Sequence, residues 1–339
     1  MKVLVIRCGA LGDLVYATSI IDACKLEYGE DTIIDFVCTP GSGTLFKDDP
    51  RVNQIFPLKH KKIPISFSAD KKRIIKHSKK EPYDILVNFE YGKQFQSLVF
   101  AIEAKRKVGS FFDLGEIPKN IVHMVDITKF IYKDIVSKEV FEKSFPRVVG
   151  SNANAMKEKY KLNENYIIIS PSNSHQKRSI LNYRAWENQS WIELIAMLNE
   201  KTQVVVVGNK NEDEFFEKLK PYPSGVIDLV AKTSLSDLIG VIEGASGLVA
   251  TDTGTAHLAS AVNTEVFALI GPTPAEQTGP YQSPFNKVHI ISENLPCSPC
   301  YKTEVMKACK DNICMKQISV QKVYDSIKSA NILKNMKIK

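Results

Sequence analysis

The chain opens with a segment whose residue types could carry out proton transfer. Residues 7–14 read Arg-Cys-Gly-Ala-Leu-Gly-Asp-Leu and follow a short apolar run at residues 3–6. The run predicts a strand, and the apolar spacing over residues 14–28 predicts a helix after the loop. A carboxylate at a helix N-terminus stays ionised, so Asp13 could accept a proton from a substrate hydroxyl. An ordinary acidic residue in a first helical turn has the same sequence signature.

The glycines of this opening loop do not match a dinucleotide-binding loop. That fingerprint is G-x-G-x-x-G, whereas Gly9 and Gly12 are separated by two residues and Asp13 follows directly. The Asp13 carboxylate would repel a pyrophosphate bound at the amides of the helix start. The sequence therefore disfavours an NAD-dependent dehydrogenase.

A second stretch, residues 250–261, has the residues of an anion site. A buried strand is predicted to end at Asp252, and Thr253-Gly254-Thr255 turn into a helix that carries His257. Gly254 would allow a ligand to approach the backbone, and the free amides and hydroxyls of such a turn bind anions. A lone histidine on a helix is more often a packed core residue, but the Asp-Thr-Gly-x-x-His grouping favours a site.

A third stretch, residues 170–178, places hydroxyl and amide side chains and two cations after a predicted strand. Ser172, Asn173 and Lys177 could hold a diphosphate. Positive charge is useful there because a nucleoside diphosphate leaving group gains negative charge in the transition state.

Four of the seven cysteines are clustered near the C-terminus with the spacing C-S-P-C-x8-C-x4-C. They are Cys297, Cys300, Cys309 and Cys314. Close thiols in an intracellular protein are typical of a structural zinc site, and reduced or disulfide-paired thiols are the alternatives. In each case we expect the cluster to fasten a proline-rich loop, not to take part in catalysis.

The order of predicted elements indicates an α/β protein with two domains. Apolar strands alternate with amphipathic helices in the first half, and the pattern restarts after residue 154, which favours parallel sheets. We predict domains at residues 1–155 and 156–320, followed by a C-terminal helix and basic tail at 321–339. Ligands of such domains lie at the C-terminal ends of the strands.

Composition and charge narrow the class of protein. The 339 residues are 44% hydrophobic and 24% charged, and no apolar run approaches the ~20 residues that span a bilayer. The N-terminus has no signal-peptide pattern, so we expect a cytoplasmic protein.

The net charge of +7 is concentrated in residues 59–80, which hold nine Lys or Arg and one Asp. This basic segment favours a membrane surface or an acidic glycan over nucleic acid, and a solvated helix face is the alternative.

Together these stretches resemble the ADP-heptose:lipopolysaccharide heptosyltransferases. The match rests on R-x-G-A-L-G-D-L at residues 7–14, on Lys-Arg-Lys-Val-Gly at 105–109 and on a long stretch at 251–281. The resemblance implies a GT-B fold, with two Rossmann-like doubly wound domains facing across a cleft. It also implies an inverting, metal-independent transfer of heptose from ADP-heptose to a lipopolysaccharide-core or related surface-glycan acceptor, with no cofactor required.

The resemblance also assigns roles to residues of this chain. It implies that Asp13 is the catalytic base in an acceptor-side loop containing Gly9 and Gly12. The N-terminal domain would take an anionic glycolipid, with peripheral contact at the inner face of the inner membrane. The C-terminal domain would bind the donor, with adenine near Lys232 and Thr233 and ribose at Glu212. The remaining implied donor-binding residues are Ser172, Asn173, Lys177, Asp252, Thr253, Gly254, Thr255 and His257.

One departure from the family pattern leaves the substrate open. Relatives carry Trp-Pro directly after the lysine-arginine pair, whereas residues 179–182 read Ser-Ile-Leu-Asn here and Trp186 comes later. This indicates an insertion beside the donor site. The alternatives are therefore a glycosyltransferase that uses another nucleotide sugar and a non-catalytic nucleotide-sugar-binding protein.

Overall fold

The computed structural model describes residues 1–60, 65, 68–112, 114–173 and 181–333. The chain divides into two compact units, Met1–Val149 and Gly150–Lys339. The second unit begins before the predicted boundary at 155/156, because the helix Ala153–Tyr160 packs against a helix of that unit, Leu235–Glu243.

The first unit is built on a five-stranded parallel sheet in the order β3-β2-β1-β4-β5. The strands are β1 Lys2–Ile6, β2 Ile33–Cys38, β3 Gln54–Pro57, β4 Tyr83–Asn88 and β5 Ala104–Gly109. Its helices are α1 Leu11–Ala17, α2 Ser19–Tyr28, α3 Ala69–Lys80, α4 Gln96–Ala101, α5 Met124–Tyr132 and α6 Lys138–Lys143. Short 3₁₀ turns lie at Ser42–Phe46, Lys93–Phe95 and Lys133–Ile135.

The central strand β1 is apolar almost throughout because it is covered on both faces. Val3 to Ile6 are fully buried, as expected for a strand inside a parallel sheet. Leu4 and Ile6 share a core with residues of β4, α3 and α4. The thiols of Cys8, Cys24 and Cys38 are free and buried in this unit.

The second unit contains a six-stranded parallel sheet in the order β11-β10-β9-β6-β7-β8. The strands are β6 Tyr166–Ser170, β7 Gln203–Val206, β8 Ile227–Asp228, β9 Gly247–Thr251, β10 Val266–Leu269 and β11 Val288–Ile291. The helices are α7 Ala153–Tyr160, α8 Asn188–Asn199, α9 Asp213–Glu217, α10 Leu235–Glu243, α11 Gly254–Ala261, α12 Ala275–Thr278, α13 Glu304–Ala308, α14 Ile313–Lys316 and α15 Val320–Ser329.

Two tryptophans and the last helix complete the core of the second unit. Trp186 meets Trp191 edge to face, with ring centroids 4.8 Å apart. The Trp186 indole N–H donates to the carbonyl of Ile318, at 2.8 Å. Val323 and Ile327 of α15 are fully buried in the same core. The C-terminal helix is therefore part of this unit and not a separate tail.

The helix predicted over residues 14–28 is interrupted at Thr18. The Thr18 hydroxyl donates to the carbonyl of Val15 at 2.7 Å and accepts from the backbone N–H of Arg147 at 3.0 Å. A hydroxyl that bonds the preceding turn competes with the regular helix ladder. Through this bond, Thr18 holds Arg147, near the end of the first unit, against the junction of α1 and α2.

Among the described residues, no helix has the length and apolar character needed to cross a membrane. Helix α3 instead carries the basic segment. It buries Ile74 and Ser78 and exposes Lys72, Arg73, Lys76, Lys79 and Lys80.

The turn after β5 generates a prediction about stability. Gly109 has φ 104°, and an added Cβ would lie 2.1 Å from the carbonyl oxygen of Asn88. We expect Gly109→Ala to lower the free energy of unfolding by about 2–5 kcal/mol, from the backbone strain and the clash together. Gly115→Ala is the matched control, since Gly115 also has positive φ but no described atom lies within 4 Å of an added Cβ there. Denaturant unfolding of both variants tests this, and equal losses would contradict the steric argument.

Candidate functional site

The opening loop lies at the carboxyl edge of the first sheet. It leaves β1, which is flanked by β2 and β4, and α1 begins at Leu11. An added Cβ at Gly9 would lie 2.5 Å from the Asp13 carboxylate. The loop can therefore fold back onto Asp13 only with glycine at this position.

Both carboxylate oxygens of Asp13 are engaged. Oδ1 accepts from Nη2 of Arg7 at 2.8 Å, and Oδ2 accepts from the backbone N–H of Ala10 at 2.9 Å. The second bond caps the start of α1, so the structural role of an acidic first-turn residue is present. The side chain is still 38% exposed. Because each carboxylate oxygen has two lone pairs, Asp13 can still accept a hydrogen bond from a further donor.

Glu90, which follows β4, places a second carboxylate against this loop, and our sequence reasoning did not identify it. Its Oε1 accepts from the backbone N–H of Cys8 at 2.7 Å and lies 3.7 Å from Nη1 of Arg7. Asn88 holds the Glu90 backbone through bonds in both directions. The sequence did carry a signal, because Glu90 follows the apolar run of residues 84–89, which is typical of a strand. Arg7 thus lies between two carboxylates, one exposed and one largely buried.

In the second unit, the predicted donor residues follow neighbouring strands. Ser172 comes after β6, Glu212 after β7 and Asp252 after β9. Strand β6 lies between β7 and β9, and the carboxyl ends of parallel strands share one edge of the sheet. The topology therefore brings the three polar segments together.

Two hydroxyl contacts join these segments. The Ser172 hydroxyl donates to Oε2 of Glu212 at 2.7 Å, and the same oxygen accepts from the backbone N–H of Asn209 at 3.0 Å. Ser170 and Thr255 share a hydroxyl–hydroxyl bond of 2.7 Å. Asn173 is buried beside Ser172.

The turn at residues 253–255 has the geometry of an anion site. Thr253 is the extended N-cap of the eight-residue helix α11, and its side chain makes no capping bond in the described structure. The amides at the helix start are thus not capped by this hydroxyl, and the helix dipole favours negative charge there. His257 is buried one turn into α11.

Asp252 is paired with an arginine that our sequence reasoning did not single out. Nη1 of Arg184 lies 3.2 Å from Oδ2 of Asp252 and 3.4 Å from its backbone carbonyl oxygen. The guanidinium also lies over the ring of Tyr301, at 4.7 Å from the centroid. Arg184 lies in the segment read as an insertion, so no motif marked it.

Within the part of the chain that the structure describes, no hydrogen bond or ion pair joins Lys232 or Thr233 to this cluster. Thr233 directly precedes the Ser234 cap of α10 and follows the edge strand β8. Lys232 donates to the carbonyl of Asp228 at 2.7 Å. Lys177 lies outside the described residues.

The four clustered cysteines are free thiols. Among the described residues, no group of three or more His, Cys, Asp or Glu side chains is arranged to hold a metal ion, and a structural zinc site at these thiols stays a prediction. Burial and, secondarily, the neighbouring thiols raise the pKa of Cys314 to about 11. Burial also raises the pKa of Cys300. Both thiols therefore stay protonated at neutral pH.

A sequence model described as glycosyltransferase family 9 (heptosyltransferase) matches residues 100–310. This chain belongs to glycosyltransferase family 9. The prediction of a glycosyltransferase is confirmed, and the family match does not support a dehydrogenase.

Relatives and solved structures resemble this family 9 glycosyltransferase along nearly its whole length. Lipooligosaccharide heptosyltransferase 2 of Campylobacter jejuni subsp. jejuni serotype O:2 is 25% identical over 350 residues, covering 99% of each chain. A glycosyltransferase family 9 structure from Veillonella parvula has a TM-score of 0.78 at 14% identity, covering 98% of this chain and 97% of the other. The E. coli heptosyltransferase WaaC with ADP has a TM-score of 0.70 at 18% identity, covering 97% and 99%. These matches confirm the α/β GT-B fold class with two Rossmann-like sheets.

The thiols of this family 9 glycosyltransferase should differ in reactivity. Cys297 is exposed, whereas Cys24 is buried and its burial raises the pKa to about 12. Because the thiolate is the nucleophile, we expect iodoacetamide at pH 7.5 to label Cys297 first and Cys24 and Cys314 last. Mass spectrometry of native protein measures the order, and urea-unfolded protein is the control. Equally fast labelling of Cys314 and Cys297 in native protein would contradict this.

Proposed function

We propose that this chain is an inverting heptosyltransferase, which moves heptose from ADP-heptose to a lipopolysaccharide-type acceptor. Membership of family 9 and the heptosyltransferase names of its relatives support this proposal. The observation that carries it is the meeting of Ser172, Glu212 and the start of α11 at three neighbouring strand ends. A hydroxyl, a carboxylate and a helix N-terminus suit the ribose and the diphosphate of a nucleotide sugar.

Asp13 is the proposed base. As the acceptor oxygen attacks the anomeric carbon, its proton passes to the Asp13 carboxylate, and the bond from that carbon to the diphosphate oxygen breaks. ADP leaves from the opposite face, so the configuration inverts. Arg7 and the Ala10 amide fix the orientation of the carboxylate, which is what a positioned general base requires.

The second unit is the proposed donor domain. Glu212 accepts a ribose hydroxyl, and Lys232 and Thr233 contact the adenine. Ser172, Asn173 and the turn at residues 253–255 bind the diphosphate, together with Lys177. His257 and Asp252 face the sugar. No step of this proposal depends on a metal ion or another cofactor.

The first unit is the proposed acceptor domain. Gly9 and Gly12 shape its opening loop, and the exposed cations of α3 supply a positive surface. Such a surface attracts an anionic glycolipid and the acidic face of a membrane, at about 1 kcal/mol per cation near the surface. We therefore propose peripheral contact of this face with the membrane that holds the acceptor.

Another nucleotide sugar is the second candidate donor. Two observations beside the proposed donor site favour it. The sequence after Asn173 departs from the family pattern, and Arg184 forms an ion pair with Asp252. The base and the acceptor chemistry are the same in this alternative, and only the nucleotide or the sugar changes.

Replacing the proposed base separates catalysis from binding. We expect Asp13→Asn to lower kcat by about 10²- to 10⁴-fold, the usual contribution of a general base, while ADP affinity is unchanged. Asp126→Asn is the matched control, because Asp126 is also an acidic residue in a first helical turn of the first unit. It should keep wild-type turnover. A nearly active Asp13→Asn would remove Asp13 from the mechanism and favour a different base.

A nucleotide panel tests the donor. A ligand that binds only the native state raises the free energy of unfolding by mass action, by about 2.7 kcal/mol at a hundredfold excess over Kd. The melting temperature rises as a result. We expect ADP to raise the melting temperature more than UDP, GDP, CMP or NAD. A larger shift with UDP or GDP would support the second candidate, and no shift with any diphosphate would contradict a nucleotide-sugar enzyme.

A further inference from the structure

Arg184 is held in place from several directions. Nη1 contacts Asp252, and the guanidinium face rests on Tyr301. Its Nε is buried and has no hydrogen-bond partner within the described residues. Since a guanidinium has five N–H donors in a fixed fork, Asp252 orients the group without using all of its donors.

Besides Asp252, the contacts that hold Arg184 and its neighbours come from the loop that bears the clustered cysteines, residues 297–314, here called the cysteine loop. Tyr301 lies near one end of it. Near the other end, the side-chain amide of Asn312 donates to the carbonyls of Asn182 and Ala185, at 3.2 and 2.8 Å. The loop thus clamps the backbone on both sides of Arg184.

The cysteine loop is in turn fixed to the strand end at β10. The backbone N–H groups of Cys300 and Tyr301 both donate to the carbonyl of Pro272, at 2.8 and 2.9 Å. Cys314 packs against Gly271, where an added Cβ would lie 2.8 Å from its sulfur. A chain of contacts therefore runs from β10 through the cysteine loop and Arg184 to Asp252.

We propose that the cysteine loop is a positioning element of the donor site, which holds Arg184 so that its guanidinium contacts the donor diphosphate. This inference rests on the proposed function and deepens it. Arg184 contributes directly to binding, while Tyr301 and Asn312 are positioning residues that act through it. Planar guanidinium groups bind phosphate oxygens in a bidentate manner, and an aromatic ring beneath one restrains its plane.

Binding of ADP and adenosine by calorimetry to the full-length chain tests the proposal. Loss of a charged hydrogen bond costs roughly ten- to a hundredfold in affinity, so we expect Arg184→Met to weaken ADP by that factor. Adenosine affinity should change less than about twofold, because adenosine has no phosphate for Arg184 to contact. Arg184→Lys, which keeps the charge but not the fork, should fall between Arg184→Met and wild type.

A double-mutant cycle tests the positioning role. Tyr301→Leu should weaken ADP by about three- to tenfold, the range of a desolvated cation–π contact, and should add nothing in the Arg184→Met background. Tyr301→Phe keeps the ring and should bind as wild type. Lys302→Ala is the matched control, since the exposed Lys302 ammonium also lies over the Tyr301 ring, at 5.1 Å from its centroid, and the substitution leaves Arg184 and Tyr301 in place.

Four outcomes would overturn the proposal. Additive losses in the double variant would show that Tyr301 does not act through Arg184. Equal losses of ADP and adenosine in Arg184→Met would show a merely structural role. Wild-type ADP affinity in Arg184→Met would show that Arg184 does not contact the diphosphate, while leaving the proposed function intact. Wild-type protein that binds none of ADP, UDP and GDP would overturn the proposed function as well. If Arg184→Met or Tyr301→Leu fails to fold, Arg184→Lys carries the test, and wild-type ADP affinity in that variant would overturn the proposal.

Discussion

Both sheets are parallel, and this single constraint decides where the chemistry of each unit lies. Parallel strands deliver their carboxyl ends to one edge, so residues far apart in sequence become neighbours there. In the first unit, Cys8 and Glu90 meet although 82 positions separate them. In the second, Ser172 meets Glu212 across 40 positions. Loops at this edge can vary while the apolar strands that hold them stay buried.

Each sheet edge also pairs its carboxylates with an arginine. Arg7 contacts Asp13 and Glu90, and Arg184 contacts Asp252, with both arginine side chains only 13% exposed. A carboxylate near a buried surface would be costly without a partner, and guanidinium groups fit carboxylates in a fixed plane. The pairs thus offset the cost of keeping charge at the strand ends and fix the orientation of the carboxylates.

The sequence predicted the strands and the strand-end polar residues well, because buried parallel strands are apolar runs and their ends are marked by loop residues. Glu212, which the resemblance implied for the ribose, lies beside Ser172. Arg184 and Glu90 were missed because their partners are distant in sequence and no local spacing reveals a long-range contact. The Thr18 break was missed for a similar reason: its hydroxyl accepts from Arg147. The short helices between residues 96 and 143 also went unrecognised, since helices of this length depend on tertiary packing.

The central position of β1 and β6 has a consequence for how the chain acquires its structure during synthesis. Strand β1 is made before either neighbour, and its second neighbour, β4, is complete only at Asn88. Strand β6 likewise can pair with β9 only after the chain has been made as far as Thr251. Both apolar central strands therefore leave the ribosome with their pairing edges open for many residues, a period in which chains with exposed strands are prone to aggregate. The fold makes each unit dependent on rapid completion of its own sheet.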